Sequence, residues 1–150
     1  MKVSIASDHA GFALKQGCID FLEAAGYNVK DFGPHNDESV DYPDFAHQVA
    51  SHVAKDSSVV GVLICGSDNG VAMTANKYEE VRACLSWSHE IAELGRLHNN
   101  ANILCLPARF ITDEEAYRSL KVFLNTPFEG GRHERLSLIH ISEPTRRILI

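Results

Sequence analysis

The chain has 150 residues, 45% of them hydrophobic, which is enough for one domain with its own core. Its 14 Lys and Arg against 20 Asp and Glu leave a net charge of −6. That balance excludes a broad basic face for nucleic acid and leaves room for a small anion held locally.

Strand-like and helix-like patterns alternate along the chain. Val3 to Ser7 is expected as the first strand, followed by a helix with Leu14, Cys18, Phe21, Leu22 and Ala25 inward and Lys15, Gln16, Asp20 and Glu23 between them. Gly26 has the character of a helix stop. Val29 to Phe32 predicts a short second strand, and Gly33-Pro34-His35-Asn36-Asp37 leads into an exposed loop expected to flank a site. From Pro43 a second helix buries Phe45, Ala46, Val49, Ala50 and Val53, and Val59 to Ile64 predicts a central buried strand. A third helix is expected to start near Asn69. Arg82 to Ser86 and Asn102 to Leu106 are the fourth and fifth strands, separated by a helix around His89 to Leu97. Thr112-Asp113-Glu114-Glu115 has capping-box spacing and opens a last helix with Ala116, Tyr117, Leu120, Phe123 and Leu124 inward. This order predicts an α/β fold, a three-layer α/β/α, Rossmann-like sandwich around a five-stranded, mostly parallel sheet.

The segment from Leu136 onward has neither a clean period nor turn chemistry, and it resembles the conceptual translation of a transposon-type sequencing adaptor. One domain over 1–135 and a non-native tail over 136–150 are therefore expected. The start of the chain reaches Asp8 and His9 before it could form a signal core, and no stretch approaches membrane-spanning length. Cys18, Cys65, Cys84 and Cys105 lack paired C-x-x-C spacing, which fits reduced thiols in the cytoplasm. No metal is expected, since His47 and His52, five apart on a helix, do not share a face.

Chemistry concentrates where the central strand ends. Cys65 closes an apolar strand and meets Gly66-Ser67-Asp68-Asn69-Gly70, a turn able to point backbone N–H groups at an oxyanion. A helix start there is expected to lower the Cys65 pKa and favour the thiolate; a buried, inert thiol is the alternative. Asp8-His9-Ala10-Gly11 ends the first strand and so opens on the same edge of a parallel sheet. His9 can bind phosphate or move protons, His98 in His98-Asn99-Asn100 suits acid–base work, and Arg109 and Arg132-His133 are candidate oxyanion clamps.

Asp8-His9-Ala10-Gly11, Asp41-Tyr42-Pro43, Ile64-Cys65-Gly66-Ser67, Arg96 to Asn102, Arg109 and Glu129-Gly130-Gly131-Arg132-His133 follow in this order. Together they resemble the ribose-5-phosphate isomerase B family, which also includes galactose-6-phosphate isomerase subunits, over residues 1 to about 135. The resemblance implies interconversion of D-ribose 5-phosphate and D-ribulose 5-phosphate through a cis-enediolate, without metal or organic cofactor. It assigns Cys65 as the base at C2 with Ser67 assisting, and His98, from a partner subunit, as the ring-opening group. Asp8, Tyr42 and Asn99 hold sugar oxygens, and His9, Arg109 and Arg132 receive the phosphate. Gly66, Asp68, Asn69 and Gly70 line the oxyanion turn. Sites shared between chains imply a homodimer or a dimer of dimers.

Two positions depart from the family pattern. Asp68 stands where the family has glycine and is expected to place a negative charge beside the oxyanion, with a backbone cost if φ is positive there. Leu136 stands where the family has a second phosphate-binding arginine, which Arg135 replaces in part at best. They motivate an alternative, an impaired phosphosugar-binding protein. A six-carbon substrate such as allose 6-phosphate or galactose 6-phosphate keeps the same chemistry, although Cys65 argues against a subunit lacking the base. A dinucleotide-binding domain is disfavoured because no G-x-G-x-x-G follows the first strand.

Overall fold

The computed structural model describes residues 1–139. In chain order the elements are β1 (Lys2–Ser7), α1 (Phe12–Ala24), β2 (Asn28–Asp31), α2 (Tyr42–Lys55), β3 (Val59–Cys65), α3 (Asn69–Ala75), β4 (Ala83–Leu85), α4 (His89–Leu97), β5 (Ile103–Pro107) and α5 (Asp113–Asn125). A further helical stretch covers 132–139. The five strands form one sheet in the order β2-β1-β3-β5-β4, and every pairing is parallel.

The period of two along the strands builds both cores. Val3, Ile5, Val62, Ile64, Leu104 and Leu106 face one layer, where they meet Leu14, Cys18 and Leu22 of α1 and Leu120 and Phe123 of α5. Their sequence neighbours Ala6, Leu63, Cys65, Ile103 and Cys105 face the other, against Val49 and Val53 of α2 and Val71 and Ala75 of α3. Burial on both faces explains why Val59 to Cys65 is an unbroken apolar run apart from Gly61. At Gly61 a Cβ would come within 2.9 Å of Val49 and 2.8 Å of Ile103, so α2 packs directly on the strand backbone there. The connections run outward in opposite directions from the β1–β3 pair, which makes the C-terminal ends of those two strands the switch point of the sheet.

Local signals act as read. The Thr112 hydroxyl accepts the Glu115 amide at the start of α5, and Gly26 follows α1 with φ +90°. Two residues in and just after α1 do not follow the expected pattern. Ala25 is exposed, and Lys15, expected between the inward positions, is fully buried. The Lys15 ammonium donates to both Asp31 oxygens, at 2.8 and 2.9 Å, and to the Pro34 carbonyl at 2.7 Å. Asp31 also accepts the Gly33 amide at 2.8 Å. A single buried cation therefore pins the end of β2 and the loop after it to α1.

Of the expected foreign tail, 136–139 continue the last helical stretch, with Ser137 buried and its hydroxyl 3.3 Å from the Arg82 guanidinium. Residues 140–150 lie outside the described residues. Among the described residues, no helix is long and apolar enough to cross a membrane.

Replacing Lys15 by methionine keeps the volume but removes the charge partner of Asp31 and the donor to Pro34. Breaking such a pair from one side costs about 3 kcal/mol. Urea unfolding of Lys15→Met is expected to show a lower midpoint with an unchanged slope.

Candidate active site

Two turns meet at the switch point. The Asp8 amide donates to the Ile64 carbonyl at 3.0 Å, and the Asp8 carboxylate accepts the Gly11 amide at 3.0 Å, closing the β1–α1 turn against the end of β3. Gly11 is required for that approach: a Cβ there would stand 2.8 Å from the Ile64 carbonyl oxygen. The same turn carries His9, whose Nδ1 accepts the Val40 amide at 3.3 Å. This bond places the proton of a neutral ring on Nε2 and ties the 33–41 loop to the site, as its sequence suggests.

The chain leaves β3 at Cys65 and reverses over Gly66 and Ser67. Asp68 is the residue before α3 and adopts φ 76°, ψ −17°. This is the left-handed region that favours glycine. Its amide, turned back by that conformation, points at Cys65 Sγ at 3.2 Å. Two larger side chains bracket the turn. The Tyr42 ring lies where a Cβ on Gly70 would be, within 2.8 Å, and the Arg109 guanidinium lies 3.0 Å from a Cβ position on Gly66. Arg109 is held there by its own amide, which donates to the Gly66 carbonyl at 3.1 Å. Ser67 and Asn69 are exposed on the outer side. Asp8, His9, Tyr42, Cys65, Gly66, Ser67, Asn69, Gly70 and Arg109 thus gather on one sheet edge.

His98, Asn99 and Arg132 do not join them within one chain. His98 follows α4 and Asn99 precedes β5, so both belong to the opposite edge, where strands begin; β5 alone separates the edges by five residues at about 3.3 Å each. There the His98 ring stacks on His133, 4.1 Å between centroids, and Nε2 of each ring lies 3.8 Å from a Glu129 carboxylate oxygen. The Glu129 amide donates to the Leu97 carbonyl at 2.9 Å, and Arg96 donates to the carbonyls of Ala101 and Thr126, fixing the loop that carries His98. Gly130 and Gly131, at φ +77° and +59°, turn the chain so that Arg132 opens the last helical stretch.

His98, Glu129 and His133 bring donor atoms within 4.8 Å of one another, as do His89, Glu90 and Glu115. In the first group the imidazoles are nearly parallel, 10° between planes, so their in-plane lone pairs run side by side rather than converge. In the second, Glu115 already accepts the His89 amide at 2.6 Å and caps α4.

Electrostatics reverse two expectations. The Cys65 thiol is only 4% exposed, and its pKa is raised, not lowered. Burial dominates; the Val71 and Asp68 amides pull it down, and the Asp8 and Asp68 carboxyls push it up. Asp68 withholds its carboxyl from solvent on the outer side of the turn. Its side chain is 1% exposed and points into the protein, where Oδ2 accepts the Ser86 amide at 3.2 Å. Burial pushes its pKa up to about 8, so the carboxyl is mainly neutral at pH 7. A substrate reaching this turn meets the Asp68 backbone, not its carboxylate.

Glu129 and His133 stood within a motif, but only their contact with His98 reveals a shared role. Ser86 carried no sequence signal, because its amide acts rather than its side chain.

The model of the Ribose/Galactose Isomerase family matches residues 3–138. A probable ribose-5-phosphate isomerase B of Mycoplasma genitalium is 48% identical over 135 residues, covering 89% of each chain. The ribose-5-phosphate isomerase B of Escherichia coli is 37% identical over 134 residues, 89% of this chain and 90% of that one. Among solved structures, ribose-5-phosphate isomerase B of Mycoplasma genitalium with bound ribulose-5-phosphate superposes with a TM-score of 0.92 at 45% identity, covering 96% of both chains. The ribose 5-phosphate isomerase of Thermotoga maritima gives 0.91 at 45% identity, covering 95% of this chain and 97% of that one.

The buried thiol of Cys65 is expected to react with iodoacetamide more slowly than free cysteine at pH 7.5. Its rate should keep climbing with pH, without a plateau up to pH 9, followed by mass spectrometry of the Cys65 peptide.

Proposed function

As a member of the ribose/galactose isomerase family, the chain is an aldose–ketose isomerase, and we propose that it works through Cys65 as the base that moves a proton between C2 and C1. It interconverts D-ribose 5-phosphate and D-ribulose 5-phosphate, a reaction of the pentose phosphate pathway. The observation that carries the mechanism is Cys65 Sγ facing the backbone amide of a turn whose glycines, Gly70 and Gly66, lie against Tyr42 and Arg109, with Asp8 close enough to act on the thiol.

The reaction needs an open-chain sugar, a base at C2 and a place for the negative oxygen of the cis-enediolate. His98 of a second copy opens the ring. Cys65, once ionised, takes the C2 proton and returns it at C1, with Ser67 assisting at the same turn. The amides from Gly66 to Gly70 stabilise the enediolate oxygen. Asp8, Tyr42 and Asn99 hold sugar oxygens, while His9, Arg109 and Arg132 hold the phosphate. A thiol with a raised pKa is seldom ionised at rest, but its anion is a correspondingly stronger base.

The opposite positions of Cys65 and His98 support a homodimer or dimer of dimers with sites completed across the interface. So do large apolar side chains exposed just beyond the strand ends: Trp87 after β4 is 60% exposed and Phe110 after β5 is 73% exposed. Residues 1–135 form the body of the isomerase domain, the family match carries it on to 138, and the protein works in the cytoplasm. The charge part of the Asp68 motive for an impaired binder weakens, because the carboxyl is buried and mainly neutral, while the backbone cost of φ 76° stands. Leu136, 39% exposed, still offers no cation to a phosphate.

Turnover of ribose 5-phosphate beside allose 6-phosphate and galactose 6-phosphate tests the substrate; faster turnover of a six-carbon sugar would reassign it. Cys65→Ala is expected to abolish isomerisation while phosphosugar binding persists, and retained turnover would remove Cys65 as the base. His98→Asn should also be nearly inactive. Refolding equal amounts of these two variants together is expected to restore roughly a quarter of wild-type activity, because half the dimers then hold one intact site of two. No recovery on mixing would count against shared sites.

A further inference from the structure

We infer that Asp68 is a positioning residue for Cys65: its inward carboxyl must keep its proton for the thiol to ionise, so that the turn carries one negative charge and not two. The inference rests on Cys65 as the base and adds to it a group that governs the base from beneath.

The geometry sets the two functional ends of Asp68 against each other. Its amide faces Cys65 Sγ at 3.2 Å, where it supports a sulfur anion. Its side chain runs the opposite way into the β4–β5 side of the sheet. One carboxyl oxygen accepts the Ser86 amide at 3.2 Å, and the other, Oδ1, is buried without a hydrogen-bond partner among the described residues. An ionised carboxylate has several lone-pair sites to satisfy and here finds one donor. A neutral carboxyl leaves less charge unsolvated, and the proton belongs on Oδ1, since Oδ2 is the acceptor for Ser86.

Among the described residues, the titratable groups that respond to this carboxyl include no cation. They are thiols: Cys65 on β3, Cys84 on β4 and Cys105 on β5, each pushed up by the Asp68 charge. Arg96 of α4 acts on Cys84, pulling it down, and Asp8 of the β1–α1 turn adds a further negative charge beside Cys65. Burial holds Cys84 up at about 11 and Cys105 well above the ordinary thiol range, so both remain neutral while Asp68 titrates. Asp68 titrates near 8 and Cys65 above its ordinary value. As the pH rises the carboxyl ionises first, and its charge then opposes loss of the thiol proton. Below about pH 8 the thiolate forms beside a neutral neighbour.

Asparagine mimics the neutral carboxyl and cannot ionise. Glycine removes the carboxyl and relieves the left-handed backbone. Iodoacetamide alkylation of the Cys65 peptide is followed from pH 6 to 10.5 in the wild type, Asp68→Asn and Asp68→Gly, with kcat/KM profiles in parallel. The midpoint for Cys65 is expected to fall by about half to one pH unit in both variants, giving roughly three- to tenfold faster alkylation at pH 9. The rising limb of kcat/KM, which follows ionisation of the base, should move to lower pH with it. Coincident alkylation profiles in all three proteins would overturn the inference, and so would a shift in the glycine variant alone, which would trace the effect to the backbone. Alkylation does not depend on turnover, so failure of Cys65 as the base, seen as activity in Cys65→Ala, remains a separate result.

Discussion

Everything functional in this chain depends on one close approach, that of the β1–α1 turn to the end of β3. The Ile64 carbonyl accepts the Asp8 amide, and the space beside it admits only glycine at position 11. Two parallel strands whose connections leave in opposite directions open a crevice between their ends. The missing Cβ at Gly11 lets the turns on its two sides sit close enough for Asp8 to influence the Cys65 sulfur. A larger residue would separate the turns before any catalytic group had been touched.

Around this crevice the molecule uses backbone more than side chains. The Cys65 sulfur is faced by the Asp68 and Val71 amides, Arg109 is anchored through its own amide, and Ser86 acts through its N–H. Such groups are fixed by the course of the chain and need little reorganisation when charge develops. On the opposite edge the arrangement differs. There His98, Glu129 and His133 rely on one another, with Arg96 bracing the loop through two carbonyls. One edge gathers backbone amides around a buried sulfur, and the other presents titratable rings held at the surface.

Much of this was legible in the sequence, and the reasons are specific. The α4 limits, the Thr112 cap and the Gly26 stop are local signals whose donors and acceptors lie within a few residues, so spacing alone reveals them. The unbroken apolar runs of β3 and β5 show burial on both faces, and parallel order then puts Asp8 and Cys65 on one edge. Lys15 was not legible. Its partners Asp31 and Pro34 lie sixteen and nineteen residues away, and nothing in the helical period distinguishes a paired buried lysine from a solvated one. The directions of Cys65 and Asp68 were hidden for a related reason. A helix start and a charged residue were visible, but the desolvation that outweighs them depends on how deeply the turn is packed.

The protonated resting state of Cys65 has a chemical consequence outside the sugar reaction. Peroxide attacks thiolates and carries them to sulfenic acid and beyond, whereas a neutral, buried thiol offers little for it to attack. Cys18 and Cys84, held up at about 12 and about 11, and Cys105, higher than its ordinary range, are sheltered in the same way. The burial that keeps the Cys65 thiol protonated therefore also shelters its sulfur from oxidation.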